Sequence, residues 1–338
     1  MSKKINIGLF GFGRIGRNIY RLGYNNPKYN FVAISDIGTS EALHYLLVRD
    51  SVHGSMSENV DLEGNYLVVK DQRTRLVGGG EPQNIPWDAF DVDIVVDATG
   101  KFLKKKQLLK HISSGAKRVI VSGNPKDEID RYVIPGVNGD KIKLSDQIIS
   151  TTSSTTQVLA LMVKMLDESF GLEKGMMTTV HAYTSDQPLA DAVGVDLRRS
   201  RSAAENIIPN TSGAPNIVEH IMPEHKNKLD GIAFNVPVPN GSCVDLTTEL
   251  RNTPTIKELN SAIHEYSLNS LHGIVGYTSD PIVSSDVIGR EETMIFDERA
   301  TMMTRDSLLK TLCWYDNGWG FASRILEVID AYDNLEDK

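Results

Sequence analysis

Ile5-Asn6-Ile7-Gly8-Leu9-Phe10-Gly11-Phe12-Gly13-Arg14-Ile15-Gly16 decides the fold of this chain. An apolar run of strand character leads straight into three spaced glycines, and a helical pattern over 14–25 follows. Glycines at such a turn let the backbone bend tightly and approach a pyrophosphate, while the helix start offers unpaired N–H groups and the positive end of its dipole. The next strand pattern, Phe31 to Ser35, is followed by Asp36, 20 residues beyond Gly16. A carboxylate there accepts both hydroxyls of an adenine ribose and repels a 2′-phosphate. An ordinary tight turn and a helix-capping aspartate are the plainer alternatives. Strand, glycines and acid in register favour a dinucleotide, and NAD over NADP.

Outward from this stretch, short apolar runs alternate with amphipathic ones up to about residue 150. Ile94 to Ala98 and Val119 to Ser122 read as further buried strands, and 40–49 and 101–114 as helices. Beyond 150 the strand patterns lengthen and alternate, as in Met176 to Tyr183 and Val244 to Leu250, which suits a mostly antiparallel sheet with helices on one side. The final helical pattern, 319–333, carries an apolar stripe and is expected to return to the first domain. The predicted class is α/β: a Rossmann-type doubly wound NAD-binding domain, 1–153 with 318–338, and an α+β catalytic domain, 154–317. The longest irregular stretch, about Ser185 to Asp196, reads as a functional loop.

With 338 residues, two domains are the default. Thirty-six basic against 44 acidic residues give a net charge of −8, so no broad positive field is available for nucleic acid. The run Lys104, Lys105, Lys106 is read as a solvated helix face. No apolar run approaches the ~18 residues of a membrane span. Cys243 and Cys313 both lie in apolar strand-like runs and read as buried structural thiols. With the N-terminal text running into a strand pattern without a charged-then-apolar leader, a cytoplasmic setting is expected.

Ser153-Ser154-Thr155-Thr156 precedes an apolar helical run, a place where hydroxyls usually cap a helix. A nucleophile there would gain from the dipole and from N–H groups able to hold an oxyanion. His181 shares a strand face with Thr179 and Tyr183; strand histidines are more often structural than catalytic. His220 and His225 do not share a helical face as zinc ligands would, and no metal is expected.

Taken together, Gly-Phe-Gly-Arg-Ile-Gly-Arg at 11–17, Asp50-Ser51-Val52-His53-Gly54, Ser153 to Thr156, His181-Ala182-Tyr183-Thr184, Asp196-Leu197-Arg198-Arg199, Ile207-Ile208-Pro209 and Trp314-Tyr315-Asp316-Asn317 resemble the phosphorylating glyceraldehyde-3-phosphate dehydrogenase family, in its order and near its spacing. The resemblance implies a homotetramer that binds NAD and inorganic phosphate and oxidises a glycolytic aldehyde through a covalent thioester. It assigns Arg14, Ile15, Asp36, Ser122 and Asn317 to the cofactor, beside Gly11, Gly13 and Gly16. His181 matches the general base. Ser153, Thr155, Thr184, Arg199, Ser212 and Gly213 match substrate and phosphate positions, and 185–196 matches the loop lining a neighbour's cofactor site.

Two departures carry chemistry. Ser154 stands at the family's nucleophilic cysteine, and a hydroxyl, unlike a thiol beside an imidazolium, stays protonated until attack. It reads either as an engineered change that keeps shape and stalls turnover, or as the native residue of a divergent or non-catalytic NAD-binding relative. Retention of His181, Asn317 and the flanking hydroxyls favours the first. Asn235 stands where the family has a phosphate-binding arginine, and a neutral amide supplies no bidentate cation. That predicts a different aldehyde or acyl acceptor. Gln157, Val158, Asn216 and Gly318 depart from the family pattern as well.

Overall fold

The strand Ile5–Phe10 runs parallel between Tyr29–Asp36 and Ile94–Asp97 near the middle of a nine-stranded sheet. A computed structural model describes residues 4–305 and 308–336. Two compact units result: one takes the chain up to Ser153 and again from Ala322, the other takes Ser154–Phe321.

In the first unit the sheet order is Arg131–Tyr132, Ile148–Ser150, Arg118–Val121, Ile94–Asp97, Ile5–Phe10, Tyr29–Asp36, Gln72–Gly78, Tyr66–Val69, Asp61–Glu63. All pairs are parallel up to Gln72–Gly78, whereas the last two strands are antiparallel. Sequence reading gave the four central parallel strands and missed Arg131–Tyr132, Ile148–Ser150, Gln72–Gly78 and the two antiparallel strands. Gln72–Gly78 is rich in charge, with the Arg73 and Arg75 guanidinium groups 4.9 and 4.8 Å from the Tyr66 ring centre, and the two strands beyond it are only four and three residues long, so the apolar pattern of this edge is weak. Helices Arg14–Gly23, Ser40–Val48 and Lys105–Ser113 fall where the periodicity put them, the third starting four residues later than the pattern. Ile7, Leu9, Tyr20, Phe31 and Trp87 are fully buried. Gly8 is small because Trp87 covers it: a Cβ there would sit 2.7 Å from the indole.

The second unit is built on the eleven-residue strand Leu172–Ala182. It pairs parallel with Leu229–Val236 and antiparallel with Ser242–Leu250, which in turn pairs with Leu309–Tyr315. The eight-stranded sheet is mostly antiparallel, with Val275–Thr278 against Met294–Asp297 as a second parallel pair. Helix Ser154–Phe170 is buried on nearly every side through its first three turns, so its run of apolar residues shows no polar stripe. The irregular stretch spans 183–207, between strand ends at Ala182 and Ile208, longer than the pattern indicated.

One polar knot ties the first unit near its glycine turn. Arg21 donates to the carbonyls of Leu47 (2.7 and 3.0 Å) and Gly54 (2.9 Å), joining helix Ser40–Val48 to the turn after it. Asp50 closes that turn by accepting from the N–H groups of Val52 and His53, each at 2.9 Å. Burial opposes ionisation of Asp50, but the His53 ring and those two N–H groups outweigh it and hold its carboxyl well below the usual carboxylate range. A depressed native pKa stabilises above the unfolded value near ~4 and is lost as pH falls toward the native one. Asp50→Asn should therefore lower Tm by about 2–4 °C at pH 7. Thermal melts should show that gap narrowing as pH drops below ~4, where wild type loses the same contribution.

Candidate active site

The glycine turn is shaped by contacts inside the chain at two positions and by none at the third. Gly11 has φ +93, and a Cβ on Gly16 would lie 2.2 Å from the Gly11 carbonyl oxygen. Gly13 faces open space, with nothing within 4 Å of an added Cβ. Open space at this position is what a phosphate cradle requires. Helix Arg14–Gly23 starts at Gly13 with neither a side-chain cap nor an acidic residue in its first turn, so no side chain of that turn offsets its positive end. Arg14 and Ile15 are half-buried in that turn.

Asp36 closes the cradle from the neighbouring strand. Its Oδ2 accepts from Phe12 N at 2.7 Å and its Oδ1 from Gly38 N at 2.9 Å, so the carboxylate is anchored to the glycine turn while lone pairs remain for a ribose. Ser122, one residue past strand Arg118–Val121, donates from N and Oγ to the Asp97 carbonyl at 3.0 and 3.1 Å. These groups fit NAD. Thr152, fully buried, has φ +64. For a β-branched residue this is strained backbone, two residues before Ser154.

In the second unit Ser154 heads its helix, and a buried phenol organises what surrounds it. Tyr315 Oη pairs with Thr155 Oγ1 at 2.7 Å and Thr179 Oγ1 at 3.2 Å. Burial pushes the Tyr315 hydroxyl up to about 12, so it remains protonated. The His181 ring stands edge-on to Tyr315 at 6.1 Å. Its Nδ1 lies 2.6 Å from the Ala182 carbonyl, which only accepts; Nδ1 therefore carries the hydrogen, and in the neutral ring Nε2 has the lone pair a base needs. Asn235 pairs with His181 in register and reaches the same carbonyl through Nδ2 at 3.4 Å. Ser242 Oγ donates to Asn317 Oδ1 at 3.2 Å and accepts from Ala182 N at 3.0 Å.

Thr184 and Arg199 meet elsewhere in this unit, and both donate to one carboxylate, Asp186. Ser212 Oγ accepts from Ala214 N, with Gly213 as the N-cap of helix Ala214–Ile221. Thr155 and Thr179 thus meet at Tyr315, while His181, Asn235 and, through Ser242, Asn317 meet at Ala182. Tyr315, Ser242 and Asp186 belong to these networks, as does Asn210 through Asn235, and none was assigned a role from sequence. A tyrosine in an apolar strand was the available signal, since its hydroxyl needs a partner when buried. Cys243 and Cys313 are buried and unpaired by disulfide, and burial pushes the Cys243 thiol up to about 11.

The glycine turn with its anchored aspartate suits the NAD-binding domain of a dehydrogenase. The C-terminal domain model of glyceraldehyde 3-phosphate dehydrogenase matches residues 153–317, and its NAD binding domain model matches 5–105. Glyceraldehyde-3-phosphate dehydrogenase 1 of Bacillus subtilis is 42% identical over 96% of this chain and 97% of its own length. The enzymes of Geobacillus stearothermophilus and Streptomyces coelicolor are 42% and 43% identical over the same shares. The chain belongs to the glyceraldehyde-3-phosphate dehydrogenase family.

The two glycine environments separate binding from stability. Gly13→Ala should weaken NAD at least tenfold in titration calorimetry and leave Tm nearly unchanged, because the new methyl occupies only cradle space. Gly16→Ala should instead lower Tm strongly, since its methyl meets backbone; overpacking of this kind costs about 1–3 kcal/mol or more.

Proposed function

We propose that this chain carries the machinery for NAD-dependent oxidative phosphorylation of an aldehyde, glyceraldehyde 3-phosphate to 1,3-bisphosphoglycerate in the first instance, and that Ser154 holds it nearly silent. The observation behind the reading is the set joined through Tyr315, which fixes the helix start beside Ser154 to the strand that carries His181. Gly11, Gly13, Arg14, Ile15, Gly16, Asp36, Ser122 and Asn317 would hold NAD, which when bound supplies the hydride acceptor. With cysteine at 154, the sulfur attacks the aldehyde carbon and His181 Nε2 takes the proton as the oxyanion is held at the helix start. Loss of hydride leaves an acyl thioester, which phosphate cleaves. Ser153, Thr155, Ser212 and Gly213 would line the substrate. Serine lacks the ionisation that makes the first step easy.

A second reading, a different aldehyde or acyl acceptor, is favoured by Asn235 and Asp186. Asn235 is neutral, and Asn210 Nδ2 lies 3.5 Å from its Oδ1, so amides stand where a phosphate would need a cation. Arg199 and Thr184 are already engaged by the Asp186 carboxylate, and an anion would have to compete with it. Retention of the fold for NAD binding without turnover is the outcome if no aldehyde is oxidised.

Assembly as a homotetramer is supported by the irregular stretch 183–207, where Leu189, Val193, Val195 and Leu197 stand exposed and call for a covering surface. Two buried thiols without a disulfide fit a reducing cytoplasm.

Ser154→Cys should raise aldehyde-dependent NADH formation by several orders of magnitude; no turnover with any small aldehyde leaves the non-catalytic reading. Adding Asn235→Arg should then raise kcat/KM for phosphorylated over unphosphorylated aldehydes roughly ten- to hundredfold, as a charge-assisted bond of ~1.5–3 kcal/mol is restored. An unchanged ratio removes the altered-substrate reading. In calorimetry NAD should bind at least about tenfold more tightly than NADP, about 1.4 kcal/mol, because Asp36 repels a 2′-phosphate.

A further inference from the structure

Below the cofactor crevice, on the side of the central strand away from Asp36, the first unit buries a chain of polar groups that the reaction does not use. Trp87 and His111 are fully buried and Asp97 is 2% exposed. Trp87 Nε1 donates to His111 Nδ1 at 3.0 Å, and His111 Nε2 faces Asp97 Oδ2 at 3.5 Å. The other carboxylate oxygen, Oδ1, accepts from both Thr99 N (3.0 Å) and Thr99 Oγ1 (2.6 Å). Thr99 Oγ1 in turn accepts from Lys101 N at 3.1 Å, which shapes the turn through Gly100, φ +67.

Donor and acceptor roles along this chain are forced. An indole N–H only donates, so His111 Nδ1 must present its lone pair and Nε2 must carry the hydrogen. Nε2–H then points at a carboxylate, and that carboxylate spends its second oxygen on Thr99. The Thr99 turn lies against the glycine turn: a Cβ on Gly11 would meet Thr99 N at 2.8 Å and Thr99 Cγ2 at 2.9 Å. It follows strand Ile94–Asp97, on the opposite flank of Ile5–Phe10 from the strand that ends in Asp36. In a doubly wound sheet the ligand crosses the carboxyl ends of such neighbouring strands, and the two halves of a dinucleotide lie over the two flanks.

We propose that Trp87, His111 and Asp97 form a positioning chain that sets the Thr99–Gly100 turn for the half of NAD remote from the adenine ribose. The inference rests on the cofactor reading above. Asp97→Asn breaks the chain whichever way the new amide turns, since its NH2 group must face either the His111 Nε2–H or the Thr99 N–H, donor against donor. Trp87→Phe releases the indole's hold on Nδ1, so His111 can change tautomer and accept from the amide.

The test is calorimetry of NAD and of 5′-AMP on the full chain and its variants. Asp97→Asn should lose about tenfold in NAD affinity while 5′-AMP, which reaches only the Asp36 flank, stays within about twofold. The double variant Asp97→Asn with Trp87→Phe should recover NAD affinity over Asp97→Asn alone, a gain that no loosening of packing produces. If Asp97→Asn does not fold, Thr99→Val, which keeps shape and removes the hydroxyl, should show the same NAD-selective loss. Equal losses of NAD and 5′-AMP, unchanged NAD affinity, or a double variant no better than the single one would each overturn the proposal. Wild-type protein that binds neither ligand would overturn the cofactor reading, and the inference with it.

Discussion

Backbone pairing along Leu172–Ala182 is the constraint on which the catalytic unit depends. Because this strand is paired on both edges, its side-chain alternation cannot slip by one residue without turning His181 and Thr179 away from their partners. The register sets Asn235 opposite His181, and Val180 opposite Cys243. It also brings Ser242 to Tyr315 two strands away. Once the strands are fixed, the hydroxyl of Tyr315 has its partners at hand, and the burial of a phenol, which would otherwise cost several kcal/mol unpaired, is met by two threonines.

Much of this was legible in the sequence, for reasons that differ between the units. Parallel strands buried on both faces leave continuous apolar runs, so Ile5–Phe10 and Ile94–Asp97 could be placed almost to the residue. Glycine at 16 is demanded by backbone contact and Asp36 by its place after a strand, so both could be read as local patterns. The edge strands Asp61–Glu63 and Tyr66–Val69 are three and four residues long, the first with acids at both ends, too short for such a run to stand out. Nor did the convergence of Thr184 and Arg199 on Asp186, because a loop's side-chain pairing depends on its path in space and not on periodicity. Asn235 was marked as a missing cation; its share in the carbonyl that orients His181 needed coordinates.

Family membership and chemical departure are compatible because they rest on different groups. The glycine turn, the Asp36 anchor and the Tyr315 set are matters of backbone approach and buried hydrogen bonding, and a change in any of them disturbs folding or cofactor fit. Ser154 and Asn235 are side-chain ends, one heading a helix and one lying across a carbonyl. Neither sets the backbone path of the fold, and one architecture can host more than one chemistry.

The arrangement of sulfur in this chain has a consequence for oxidative stress. Peroxide attacks thiolates that it can reach. Cys243 and Cys313 lie on adjoining strands, both buried, and burial holds both as neutral thiols. A thiolate-centred dehydrogenase is inactivated at the very atom that does its chemistry. Here position 154 carries a hydroxyl, and the two cysteine sulfurs are walled into the sheet, so the folded protein gives peroxide no point of entry at cysteine.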